Sequence, residues 1–163
     1  MEIRGYKCFN KDLTNSYGIK FSIGKIYVAS GVIKFGNNGN GFHICKNIED
    51  TFRYFDTNNV SVCEVIGSGR FVEKFDYYYE YYDMYCVEKL KIIKELSSEE
   101  IINIGLSLNE IRVKRFLSTF ILLDEEIELF KNKFKNKRDI LNVIAYYQEK
   151  DKDIYNKRLA LIK

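Results

Sequence analysis

The chain opens with short runs in which β-branched and aromatic residues alternate with polar ones, at residues 3–9, 19–23, 25–29 and 32–35. Gly18, Gly24 and Ser30-Gly31 separate them, a pattern that predicts strands joined by tight turns. The run 36–41 (GNNGNG) is the strongest loop signal, because Gly and Asn tolerate the positive φ that tight turns demand. Residues 41–45 then read as a strand. Ile48, Phe52 and Phe55 recur at helical spacing behind Asn47, a residue type favoured as an N-cap, so a short helix is predicted over 47–55. Residues 60–66 and 70–75 look extended, with Gly67-Ser68-Gly69 forming a bulge or a hairpin turn between them. Val87, Leu90, Ile92 and Ile93 suggest one more strand.

From Ser97 the hydrophobic period becomes helical. Ser97 with Glu100, and Ser107 with Glu110, stand at capping-box spacing and mark two helix starts. Asp124 is the expected cap of a third helix, whose apolar stripe is Ile127, Phe130 and Phe134. Residues 139–148 and 153–162 complete the set. Lys114-Arg115, Lys137-Arg138 and Lys157-Arg158 recur about twenty residues apart, a faint period compatible with stacked helical repeats or with chance. The expected fold is α+β: a mixed or antiparallel sheet with one short inserted helix over 1–96, followed by an α-helical region over 97–163.

A length of 163 residues with 46% hydrophobic content is enough for a buried core. No apolar run approaches the ~20 residues of a membrane span. The N-terminus enters patterned sequence at once, so a cytoplasmic protein with no membrane partner is expected. Cys8, Cys45, Cys63 and Cys86 form no CxxC pair and read as buried thiols. Charge is uneven: residues 1–111 carry 13 basic and 15 acidic side chains, whereas 112–163 carry 13 and 8. The densest basic stretch is 131–138, with Lys131, Lys133, Lys135, Lys137 and Arg138 and no acid. It reads as a solvated helix face or as a contact for phosphates.

Few constellations suggest chemistry. The lone histidine, His43, lies two residues from Cys45, so both share one face of a strand. With Cys8 or Cys63 they offer a loose zinc set or an activated thiol, set against a structural role for His43. Nucleotide-binding glycine loops, a Gly-x-Ser-x-Gly elbow and an HExxH helix are all missing, so no metal, cofactor or catalytic residue is assigned. Tyr77, Tyr78, Tyr79, Glu80, Tyr81, Tyr82, Asp83 and Tyr85 crowd six tyrosines and two acids into nine positions. They are candidates for a partner surface or for an aromatic ladder within the sheet.

The blocks Gly5-Tyr6-Lys7-Cys8-Phe9-Asn10-Lys11-Asp12-Leu13, Gly24-Lys25-Ile26-Tyr27, Gly41-Phe42-His43-Ile44-Cys45-Lys46-Asn47, Tyr54 and Cys63-Glu64-Val65 carry a resemblance. Over about 3–96 the chain resembles an uncharacterised domain of bacteriophages and Gram-positive bacteria, often placed before repeat segments. The chain departs from that pattern where Thr14 or Asn15 replaces one cysteine and where the cysteine ahead of Gly41 is absent, which weakens any shared metal site. The resemblance implies a mobile-element origin and, if phage-encoded, residence in the host cytoplasm. The function expected is a non-catalytic inhibitor that occupies a host or defence-system protein or nucleoprotein, for example a CRISPR-type nuclease (an anti-CRISPR). Two alternatives stand beside it: an ADP-ribosyltransferase-like enzyme acting on a nucleotide or ADP-ribose through Arg4, His43, Tyr54 and Glu64, and an RNA-binding accessory protein contacting nucleic acid through the basic tail.

Overall fold

A computed structural model describes residues 1–36, 39–52, 60–75 and 83–148. The chain divides into two compact units, one built from Met1–Phe55 and Asn59–Leu96, the other taking in Ser97–Lys163. The class is α+β, with an antiparallel five-stranded sheet in the first unit and, among the described residues, four helices in the second.

The sheet unit contains β1 (Glu2–Asn10), β2 (Ile26–Val28), β3 (Phe42–Cys45), the short helix α1 (Ile48–Thr51), β4 (Val60–Phe75) and β5 (Asp83–Glu95). The long strands β4 and β5 pair from Cys63↔Glu95 to Phe75↔Asp83. β1 runs along the first half of β4, from Glu2↔Ser68 to Asn10↔Val60. The free edge of β5 takes β3 at Phe42↔Val87 through Cys45↔Met84, and β2 beyond it at Ile26↔Lys91 through Val28↔Lys89. β3 also meets β1, at Tyr6↔Cys45, so β1, β3, β5 and β4 close into a ring. That closure depends on Gly5, because a Cβ there would fall onto the carbonyl oxygen of Cys45. Inside the ring Ile3, Phe9, Phe21, Ile44, Val65, Val87, Leu90 and Ile92 form the core.

Residues 60–75 make one strand rather than two. Gly67-Ser68-Gly69 does not turn the chain back; the register shifts between Ser68 and Phe71 and β4 continues past a bulge. Gly69 adopts φ of 81°, and Arg70 reaches across to Glu88, its Nη2 2.7 Å from Oε1. Of the early runs, 3–9 forms β1 and 25–29 shortens to β2. Residues 19–23 and 32–35 are loop, tied by the isolated bridges Thr14↔Lys20 and Ile33↔Asn40. Both loops leave large apolar side chains exposed, among them Ile19, Ile23 and Val32.

The helical unit contains α2 (Ser98–Ser107), α3 (Glu110–Thr119), α4 (Asp124–Lys133) and α5 (Arg138–Gln148). Ser97 caps α2 with the anticipated box: its hydroxyl accepts from the Glu100 N–H at 3.1 Å, and Glu100 Oε2 accepts from the Ser97 N–H at 2.9 Å. Ser107 is not a cap. It ends α2, its hydroxyl donating to the Ile104 carbonyl, and Asn109 caps α3 instead, accepting from the Arg112 N–H. Asp124 likewise lies inside α4, whose Leu123 N–H is satisfied by Glu126 at 2.7 Å. Stacked rings of Phe116, Phe130 and Phe134 fill the centre of this unit. Gln148, buried at the end of α5, donates to the carbonyls of Leu117 and Phe120 and accepts from the Leu122 N–H. The expected helix at 153–162 lies outside the described residues.

Candidate functional site

Alternation along β1 places Ile3, Gly5, Lys7 and Phe9 on one side, and three of the four are what a closed sheet requires there. Lys7 is the exception. Past Tyr6↔Cys45 the backbones of β1 and β3 are no longer paired, and the Lys7 ammonium donates to the His43 carbonyl across the gap at 2.8 Å. Nζ also sits 5.6 Å from the centre of the Phe9 ring. Burial holds the Lys7 pKa below its ordinary value. No ion pair to Lys7 exists among the described residues.

The gap opens into a cavity of about 550 Å³. Lys7, His43 and Lys74 supply its basic groups; Tyr17, Phe35 and Phe42 supply aromatic wall. No carboxylate lines it among the described residues. His43 reaches solvent, yet its ring is 5.0 Å from that of Phe35. Partial burial, then the charges of Lys7 and Lys74, hold its pKa below 6.5. At neutral pH His43 is therefore an uncharged donor or acceptor beside two lysines.

One rim of the cavity is a loop closed by its own hydrogen bonds. Asn15 Oδ1 accepts from the N–H groups of Tyr17 at 3.0 Å and Ile19 at 2.9 Å, while Asp12 Oδ1 accepts from the Thr14 hydroxyl at 2.7 Å. The Asn10 amide donates to Thr14 Oγ1 at 2.9 Å. This loop holds Tyr17 out of the core, 87% exposed.

The four cysteines are free and buried. Burial pushes the Cys8 thiol up to about 11 and that of Cys63 up to about 12, and it raises Cys86 as well. The Cys86 sulfur also lies 3.5 Å from the carbonyls of Lys34 and Asn40. Cys8, Cys63 and Cys86 are thus held as thiols, the unreactive form. No group of three His, Cys, Asp or Glu among the described residues could hold a metal ion.

The other candidates fall in several places. Tyr77, Tyr78, Tyr79, Glu80, Tyr81 and Tyr82 lie outside the described residues, and Asp83 starts β5. Tyr85 belongs to the core rather than to an exposed partner surface: it is 8% exposed and its hydroxyl donates to Glu73 at 2.9 Å. Lys131, Lys133, Lys135, Lys137 and Arg138 are all exposed, around the buried Phe134. Two of them are already engaged, Lys131 with Glu128 at 3.0 Å and Lys137 with Glu110. Arg4 and Glu64 line a separate cavity of about 250 Å³ that does not include His43, and Tyr54 lies outside the described residues. The motif reading singled out His43 and passed over Lys7, whose signal was a charged residue at an apolar position of the alternation.

No helix among the described residues is long and apolar enough to cross a membrane. Searches of curated proteins and of solved structures return no match. A family described as Domain of unknown function (DUF7666) matches residues 3–104, which include all five strands but for Glu2 and every residue lining the large cavity. The chain belongs to this domain family of unknown function, and the cavity lies wholly inside the part that defines membership.

Proposed function

We propose that the chain is a non-catalytic binding protein for a phosphate-bearing partner. In the phage or mobile-element setting that its sequence resemblance implies, it acts by occupying a host or defence-system nucleoprotein, a CRISPR-type nuclease being the concrete case. The observation that carries this reading is the cavity at the β1–β3 gap, where Lys7, His43 and Lys74 converge without a carboxylate among the described lining residues. An anion is the complement of such a site. The exposed basic turn from Lys131 to Arg138 supports contact with nucleic acid in the same partner. Protonated thiols, and the separation of Arg4 and Glu64 from His43, favour binding over the ADP-ribosyltransferase-like alternative.

Titrating the intact chain into a guide-loaded CRISPR-type nuclease with its DNA target tests the proposal. Loss of cleavage should track the molar ratio of the two proteins and reach completion near equivalence. Inactivation by a small fraction of an equivalent would indicate turnover and an enzyme. Undiminished cleavage at excess would remove this class of partner.

A further inference from the structure

We infer that the cavity between β1 and β3 is a site for a phosphorylated nucleoside, with the phosphate against Lys7 and Lys74 and the base on the ring of Tyr17. This rests on the reading of the cavity as an anion site and names the ligand that its remaining features fit. At the inner end, the half-buried Lys7 side chain brings its ammonium to one carbonyl, the His43 oxygen. A partly desolvated cation with no ion pair among the described residues attracts an anion, and a phosphate's oxygens supply that charge together with hydrogen-bond acceptors. Lys74 reaches the same space from β4, and neutral His43 offers a ring nitrogen.

At the outer end, Tyr17 is a large aromatic side chain that the fold leaves in solvent while fixing its backbone through Asn15. The backbone is fixed at the rim and the exposed ring is open to stacking by a base. Ser16, beside it on the same rim, exposes a hydroxyl suited to a sugar or base edge. The volume of about 550 Å³ falls within the range of small-molecule sites. Inorganic phosphate alone would use the lysines and leave Tyr17 without a role, whereas a base linked to a phosphate uses both ends.

Calorimetric titration of the intact chain with adenosine and uridine 5′-monophosphates, the two nucleosides and orthophosphate tests the assignment. The monophosphates should bind tighter than orthophosphate, and the nucleosides weakest. Tyr17→Ala, an exposed position, should weaken the monophosphates about five- to a hundredfold and leave orthophosphate unchanged. Lys74→Gln and Lys7→Met should weaken both, with Lys74→Gln deciding if Lys7→Met fails to fold. Monophosphates no tighter than orthophosphate, or insensitive to Tyr17→Ala, would overturn the nucleotide assignment while leaving an anion site. Absence of binding by every phosphate would remove the anion site as well.

Discussion

Gly5→Ala is the most discriminating perturbation of the fold, because it places a methyl group where the ring of strands closes. The new Cβ would fall on the Cys45 carbonyl oxygen, 3.2 Å from the Cys45 carbonyl carbon and 3.6 Å from Lys46 Cα. All three are backbone atoms, so no rotamer change relieves the clash, and β3 must move away from β1. Gly5 does not occupy the left-handed region, so the penalty is steric. Overpacking of this kind costs about 1–3 kcal/mol. The smaller conformational freedom of alanine in the unfolded chain offsets about 0.4–1 kcal/mol of that. A net loss of up to about 2.6 kcal/mol, centred on about 1.3 kcal/mol, follows, which at a urea slope of about 2 kcal/mol/M moves the midpoint down by about 0.6 M. Urea unfolding followed by the amide NMR signals of β1 and β5 reads the sheet unit directly. Gly67→Ala is the comparison, because its Cβ would meet side-chain methyls, Val87 Cγ1 at 2.7 Å and Ile44 Cδ1 at 2.9 Å, which can shift. A Gly5→Ala midpoint equal to or above that of the parent would refute the closure at Tyr6↔Cys45.

Three further outcomes are expected. Gln148→Met should destabilise the helical unit by about 2–4 kcal/mol in thermal or urea melts, because it strands the Leu122 N–H and two carbonyls in the interior; a loss under about 0.5 kcal/mol would mean that water replaces the amide. Iodoacetamide at pH 8 should modify none of the four thiols on the timescale that labels all four in denaturant, and mass spectrometry of the native reaction would expose a reactive cysteine if one existed. The Arg70 guanidinium holds Glu88 below its ordinary 4.5, so the stabilisation from this carboxylate is present above 4.5 and is lost as pH falls through the lower folded value. The urea-midpoint gap between the parent and Glu88→Gln should therefore close on acidification, and a gap that widens would reverse the assignment.

The change from alternating to helical periodicity at Ser97 made the α+β class legible, and the Ser97–Glu100 box marked the start of α2 correctly. Elsewhere local signals misled for physical reasons. Gly67-Ser68-Gly69 carries turn chemistry, yet β4 had a partner on each side, β1 and β5, and a bulge cost less than breaking both ladders. Ser107 lost to Asn109 because α2 continues through Ser107, whose hydroxyl donates to the Ile104 carbonyl, and the chain leaves the helix only at Leu108. The strand-like runs 19–23 and 32–35 became loops because β3 and β2 already occupy the edge of β5. His43 was legible as part of a short block, but its setting was not. The cavity brings Lys7 of β1 and the nearby Asn15–Tyr17 turn together with His43 of β3 and Lys74 of β4, which lie far along the chain and meet them only because the strands close into a ring. Tyr85 shows the reverse, since a local crowd of tyrosines concealed that this one follows the core alternation of β5.

His43 is the only histidine in the chain, so its Hε1 resonance reports on the cavity without ambiguity. An NMR pH titration of that signal, with and without saturating adenosine 5′-monophosphate, tests the anion site most directly. In the free protein the midpoint should lie below 6.5, because burial, Lys7 and Lys74 disfavour the imidazolium. A bound phosphate offsets those charges and should move the midpoint upward. The same midpoint in both samples, with the nucleotide shown to be bound, would contradict the placement of the phosphate among Lys7, His43 and Lys74.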